Sequence, residues 1–464
     1  MADPLAPAAP PAAGAAPTEA PGTDAAGAAA PTTIDDFLRA VARAPETGMA
    51  ARVATHAIAP GQRIAGRFDL LSVAGRGGMG TVFRARDRRD KRNVALKVLA
   101  TSAMHSVARF EREAAILAGI RHPNVVAYVA HGATPDGAHY LVMDWVDGED
   151  LHARLRRAPQ GAAASVAMAV EVARALGALH ASGVVHRDLK PSNLMLGEGD
   201  RVTLVDFGVA RRGDVAILTR TGTAIGTVGY MAPEQVRGVR ELDGRADLFA
   251  LGCILHECLT GQPAFAGPSP LAARARTLLE DPVPIRALVP ELPAELEALV
   301  LALLARDPAR RPSDAAAVAR ALLAIDLRAS APIPLPPPVA APGPWFAQMV
   351  AWRDEPAPEA LAPVTGATID TIEGGLVLLT SGALDAVADE ALALAARFPR
   401  ALIALAGGAD RAGAIDASAA LLEDLEATGA ALTGAWIDRA TAARLGDGFA
   451  IAPDGDRARI VRAR

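Results

Sequence analysis

The 464-residue chain carries 47 Lys and Arg against 52 Asp and Glu, a net charge of −5, with 51% apolar and 21% charged residues. That length predicts two to three domains with sizeable cores. The mild acidity excludes the bulk basic charge of a nucleic-acid binder or of a protein held on an anionic membrane.

Residues 1–31 are Ala/Pro/Gly-rich and are expected to be disordered; they lack the basic and apolar regions of a signal peptide. A short segment, 32–66, follows without an assigned role. No uninterrupted apolar run reaches about 18 residues, so no membrane span is expected and the expected location is the cytoplasm. Residues 68–73 read as a strand, followed by Gly75-x-Gly77-x-x-Gly80-x-Val82 and a second strand over 81–85. A Gly-rich loop between two strands differs from a dinucleotide fold, in which the loop opens a helix. Alone it reads more readily as a flexible turn; Lys97 on the following strand, in Val94-Ala95-Leu96-Lys97, makes a phosphate cradle the stronger reading.

Residues 107–120 have helical periodicity, with Phe110, Glu113, Ala114 and Leu117 on one face. A carboxylate on an apolar face needs a partner, and Glu111 is the alternative to Glu113. His122-Pro123-Asn124 ends this helix, residues 125–129 and 139–143 read as strands, and 165–180 form an Ala-rich helix. His186-Arg187-Asp188-Leu189-Lys190-Pro191-Ser192-Asn193 comes next, then Asp206-Phe207-Gly208 and Ala232-Pro233-Glu234. Asp247 opens an apolar helix that holds Cys253 and Cys258, whose spacing is neither a disulfide framework nor a metal site and reads as reduced core thiols. Only three of the 47 basic residues are lysines (Lys91, Lys97 and Lys190), and two of those fall within these motifs. In a chain that otherwise writes Arg, those two sites need a compact ammonium.

Five motifs in this order resemble the protein-kinase catalytic domain, and Lys190-Pro191-Ser192-Asn193 resembles its serine/threonine branch. The resemblance covers about residues 67–326. It implies an α+β, bilobal fold with a small β-rich N-lobe and a larger helical C-lobe. It implies ATP as phosphoryl donor, Mg2+ as cation with Mn2+ as a substitute, and protein Ser/Thr substrates. Asp188 is the implied base and Lys190 the implied neutraliser of the transferred group. Lys97, held by Glu113, would grip the phosphates, and Asn193 and Asp206 would hold the metal. Gly75, Gly77, Gly80, Val82, Ala95, Met143, Asp144, Val146 and Met195 would surround the nucleotide, with Asp150 near the ribose. Glu234 would pair with Arg311, Asp247 would anchor the catalytic loop, and Leu117, Tyr128, His186 and Phe207 would form a spine. Thr227 matches the position that favours Ser/Thr substrates. Thr221, Thr219 and Thr223 are the expected autophosphorylation sites, with Arg187 to meet the phosphate and a transient homodimer for transfer in trans. The rivals are a pseudokinase scaffold acting by protein binding and a small-molecule kinase.

Residues 327–343 form a stiff Pro-rich linker. Beyond it, strand-like segments at 376–379 and 401–405 alternate with helix-like ones at 384–397 and 414–427, which predicts a small α/β domain over 344–464. It resembles a degenerate class III nucleotide cyclase domain, carried by residues 346–349, 371–375, 415–421 and 441–449. On that resemblance Gln348 and Gly374 replace the metal carboxylates, and Asp416 and Ala420 replace the transition-state Asn and Arg. Two-metal chemistry cannot proceed without those carboxylates, so a non-catalytic role in sensing or dimerisation is expected; the alternative is an α/β interaction domain unrelated to the cyclases.

Overall fold

Strict alternation of apolar residues builds the first sheet. In strand β3 (Gly80–Asp87) Phe83, Ala85 and Asp87 point into the lobe, and in β4 (Asn93–Leu99) Val94 and Leu96 join them. The computed structural model describes residues 58–77, 80–99, 107–206, 228–239, 241–328, 344–351, 368–372, 375–381, 383–428 and 434–462. The expectations for residues 1–31, for the linker at 329–343, for Phe207, Thr219, Thr221, Thr223 and Thr227, and for Gly374 lie outside them.

With β1 (Arg63–Ile64), β2 (Phe68–Gly77), β5 (Tyr128–Ala133) and β6 (His139–Asp144), these strands form an antiparallel sheet ordered β1-β2-β3-β4-β6-β5. β6 is buried on both faces. Tyr140 and Val142 join the Phe68 and Phe83 cluster, while Leu141 and Met143 face helix α1 (Val107–Gly119) through Phe110, Ala114 and Leu117. The strand expected over 125–129 starts later, at Tyr128. Val125 and Val126 are instead drawn off by Leu204, whose carbonyl accepts from Val126 N at 3.0 Å.

The second lobe is mainly helical. It contains α2 (Leu151–Leu155), α3 (Ala162–Ala181), α4 (Pro233–Val236), α5 (Arg245–Thr260), α6 (Pro270–Leu279), α7 (Ile285–Leu288), α8 (Ala294–Leu303) and α9 (Ala315–Ala324), plus the small sheet β7 (Glu149–Asp150), β8 (Leu194–Leu196) and β9 (Val202–Leu204). α5 is buried nearly all round, as an apolar central helix must be. Among the described residues, α3 is long and apolar enough to cross a membrane by composition, yet Val166, Ala169, Val170, Ala173 and Leu176 pack it into the lobe core.

The last third forms a seven-stranded sheet ordered β11-β12-β10-β13-β14-β16-β15. Its strands are β10 (Trp345–Ala351), β11 (Thr368–Ile372), β12 (Gly375–Ser381), β13 (Leu402–Gly408), β14 (Gly434–Asp438), β15 (Phe449–Asp454) and β16 (Arg457–Arg462). Among the described residues of this sheet, only β13 and β14 pair in parallel. Two-residue alternation gives β10 two buried faces. Phe346 and Val350 meet helix α10 (Leu384–Arg397), and Ala347 and Met349 meet α11 (Arg411–Ala427). A short helix, α12 (Arg439–Ala442), precedes β15. The α11 face does not end at its own domain: Met231 and Val236 of the helical lobe, and Ala272, Ala275, Leu278 and Leu279 on and beside α6, share its core. Ala54–Arg464 is accordingly one compact unit.

Candidate active site

Residues 186–193 run between α3 and β8, and one buried carboxylate fixes their backbone. Asp247, in the first turn of α5 and 1% exposed, accepts from His186 N and from Arg187 N, each at 2.8 Å, and lies 2.7 Å from His180 Nε2. A carboxylate that accepts several hydrogen bonds satisfies its own burial and those of its donors. Arg187 adopts φ +65°, a left-handed backbone that a non-Gly residue holds only when its surroundings enforce it. They do so from both sides, because Gln235 Nε2 donates to Arg187 O at 2.8 Å.

Asp188 is buried, with Lys190 Nζ 3.0 Å from its Oδ2. A tight turn at Pro191–Asn193 then brings Asn193 back, so that its Nδ2 donates to Asp188 O at 2.7 Å. Val205 N donates to Asn193 O at 2.9 Å, which sets the residue after it, Asp206, beside the loop. Asp206 also has a left-handed backbone, φ +59°. Its carboxylate accepts from Lys97 Nζ across the gap between the lobes. Lys97 was expected to pair with Glu113; Glu113 lies on α1, but its side chain is outside the described residues.

β4 places Lys97 opposite Val82 on one neighbour and Leu141 on the other. Val82 itself faces Gly75, and Gly77 faces Gly80 at the turn. Gly80 is obligatory. Its φ is +136°, and a Cβ there would lie 1.9 Å from Val98 O. Ala95, next to Met143 across the sheet, is half-buried, as is Met195 on β8, while Met143 is buried. Asp144 closes β6 and pairs with Arg92 at 2.5 Å, and half-buried Val146 packs against the core of the helical lobe. Asp150, expected near a ribose, is the cap of α2: its Oδ1 accepts from Ala153 N at 2.8 Å.

Beneath the loop, Arg311 forms a bidentate pair with Glu234, with Nη1–Oε1 at 2.6 Å and Nη2–Oε2 at 2.8 Å, and lies over the Phe249 ring. Gln235 escaped the sequence reading. The signal available was its position three residues after Ala232, the spacing of the return half of a capping box, and Ala232 N does donate to its Oε1 at 3.1 Å, although Ala232 has no side-chain acceptor to complete the box. His180 also went unremarked, because nothing in one helix indicates that it will reach Asp247 on another. Asn124 is structural: its Nδ2 donates to Glu171 and to Val202 O.

The site therefore offers a carboxylate and an ammonium side by side, oxygen ligands on Asn193 and Asp206, and a second ammonium reaching from the small lobe. Residues 68–323 match the protein kinase domain family. The chain is 39% identical over 280 residues to the serine/threonine-protein kinase pkn3 of Myxococcus xanthus, covering 57% of this chain and 51% of that protein. It is 39% identical over 264 residues to the serine/threonine-protein kinase PknB of Mycolicibacterium smegmatis, covering 55% of this chain and 42% of that one. The crystal structure of Rad53 1-466 in complex with AMP-PNP aligns with a TM-score of 0.46 at 25% identity, covering 55% of this chain and 64% of that chain. The chain thus spans about half, or less, of the length of those curated relatives.

Proposed function

Since this chain belongs to the protein kinase domain family, we propose that it transfers the γ-phosphoryl group of ATP to Ser and Thr hydroxyls of proteins. The observation that carries this reading is Asp188 and Lys190 at 3.0 Å on a loop pinned at both ends of Arg187. Asp188 accepts a hydrogen bond from the substrate hydroxyl and aims its oxygen at the γ-phosphorus. As the new O–P bond forms, the bond from the γ-phosphorus to the bridging oxygen breaks, ADP leaves, and the hydroxyl proton passes to Asp188. A carboxylate is a weak base, but a loose transition state asks more for alignment than for basicity. Lys190 offsets charge on the transferring group, and Lys97 holds the phosphates.

Asn193 and Asp206 suit a hard cation such as Mg2+, with Mn2+ as a substitute. The Asn193 amide nitrogen is committed to Asp188 O, so its oxygen is what it has to offer, and the Asp206 carboxylate adds a second oxygen donor. When bound, the cation supplies charge neutralisation on the phosphate oxygens.

The test is labelling of a generic protein substrate by the full chain and by Asp188→Asn, with radioactive ATP and Mg2+. Loss of label by about 10²- to 10⁴-fold is the expected result. Equal labelling by both proteins would overturn the role of Asp188. Autophosphorylation is expected at Thr221, with Thr219 and Thr223 next, in trans through a transient homodimer. Mass spectrometry finding active protein unmodified at all three would reject it. The compartment we infer is the cytoplasm, in keeping with Cys253 and Cys258, buried thiols pushed up by desolvation and not joined to each other.

Residues 344–464 we read as a non-catalytic domain. Gln348 is fully buried, with its Nε2 3.2 Å from Val387 O, and Asp416 is held by Arg276. The Gln348 amide nitrogen and the Asp416 carboxylate are thus committed to structure. A purified chain that makes cyclic nucleotide from ATP would refute this.

A further inference from the structure

Helix α4 is one turn long, yet three polar side chains at its end each hold a different part of the molecule. Glu234 grips Arg311 below the helical lobe. Gln235 holds Arg187 O, the carbonyl immediately before Asp188. Arg237, the residue after the helix, reaches the C-terminal sheet, where Nε meets Asp370 Oδ1 at 2.8 Å and Nη2 meets Oδ2 at 2.7 Å. Between them Val236 is fully buried in the core shared with α11. A planar guanidinium bonded twice to one carboxylate fixes direction as well as distance. Hydrogen bonding to Asp370 raises the Arg237 pKa further above its usual range.

Asp370 sits on β11, an edge strand of the C-terminal sheet, beside residues 352–367, which lie outside the described residues. Through Arg237 it is nevertheless joined to the one-turn helix whose Gln235 holds the catalytic loop. A second bridge joins the same two domains, from Arg276 of α6 to Asp416 of α11 at 2.5 and 3.1 Å, and Arg411 Nη2 donates to Leu279 O at 2.8 Å. Among the described residues, Arg276 and Asp416 bond to each other and to their own neighbourhood, and neither lies in the Gln235–Arg187 connection. The two bridges therefore separate domain docking from loop positioning.

We propose that Asp370 of the C-terminal domain is a positioning residue for catalysis, acting through Arg237, helix α4 and Gln235 on the left-handed backbone of Arg187 and so on Asp188. The C-terminal domain is then a brace for the catalytic loop rather than an appended module. A carboxylate that must meet a substrate hydroxyl in line is sensitive to small displacements of its backbone, and a contiguous chain of hydrogen bonds transmits them.

The proposal rests on the kinase reading for its kinetic arm and on hydrogen exchange for an arm independent of it. Full-length wild type, Asp370→Ala, Asp416→Ala and the charge swap Arg237→Asp with Asp370→Arg are compared for kcat on a generic protein substrate, KM for ATP, and amide exchange over 184–194. Asp370→Ala is expected to lower kcat about fivefold with KM for ATP unchanged. It should also speed exchange at the His186 and Arg187 amides. The charge swap should recover most of both effects, and Asp416→Ala should leave kcat near wild type and speed exchange over 184–194 no more than elsewhere in the helical lobe. Exchange over 184–194 unchanged in Asp370→Ala would overturn the brace whether or not the chain is active. So would equal loss of kcat in the Asp370 and Asp416 variants, since docking alone would then suffice. An inactive wild type with the expected exchange pattern would count against the kinase reading and leave the brace standing.

Discussion

Asp87 and Arg67 are the clearest single pair in the small lobe. The Asp87 side chain is fully buried, and Arg67 donates to it from Nε and Nη2, the latter at 2.6 Å. That hydrogen bonding holds the Asp87 carboxyl below the usual carboxylate range. Its folded pKa is therefore lower than its unfolded one, and the unfolded chain binds the extra proton. The stabilisation is fully present above the ordinary carboxylate pKa of about 4 and is lost as pH falls through the folded value. Thermal unfolding should show wild type ahead of Asp87→Asn at pH 7, with the gap closing below about pH 4. A gap constant down to pH 2 would contradict this account. Arg311 presents a second case: its side chain is fully buried and that of Glu234 nearly so. Removing one partner leaves an uncompensated charge, so Glu234→Ala or Arg311→Ala should each cost about 3–5 kcal/mol in denaturant unfolding. The double variant should cost less than the sum.

At the level of elements, the β2–β3 turn depends on one backbone conformation. Gly80→Ala would need a φ that L side chains avoid and a Cβ inside contact distance of Val98 O. The expected cost is about 1–3 kcal/mol, read by thermal unfolding, together with a raised KM for ATP. A Gly75→Ala control has open space around its Cβ and should unfold near wild type. β10 makes the opposite demand. Gln348 sits fully buried between sheet and α10, its Nε2 3.3 Å from Glu390 Oε2, and burial pushes the Glu390 carboxyl up. Gln348→Asp, which restores the carboxylate of the cyclase pattern, would place a second acid beside a desolvated one. Loss of about 3 kcal/mol or more is expected, and a stable Asp variant that gains a bound divalent cation would reverse the reading.

Across the whole molecule, the central point is that two domains predicted as separate share a core. The face of α6 that a lone helical lobe would show to solvent is instead covered by α11. Two Arg–Asp bridges frame that core, and one of them lies a single helix away from Asp188. Stability of the two parts should therefore be coupled. Asp416→Ala should shift the unfolding of both, detected as one cooperative transition at a lower midpoint rather than as early melting of residues 344–464 alone.

The sequence by itself determined the lobes and singled out the candidate catalytic residues. Period-two and period-3.6 patterns located most strands and helices, and motif order singled out Asp188, Lys190, Asn193, Asp206 and Lys97 because each needs a fixed residue type at a fixed spacing. The Pro-rich stretch and the change in pattern after it separated a last domain, whose α10 runs over the predicted 384–397. What the tertiary structure decided was every link between distant segments. His180 meets Asp247 across 67 positions, Gln235 meets Arg187 across 48, and Arg237 meets Asp370 across 133. A hydrogen bond needs donor and acceptor within about 3 Å, and local sequence carries no record of which remote group the fold will deliver to that distance.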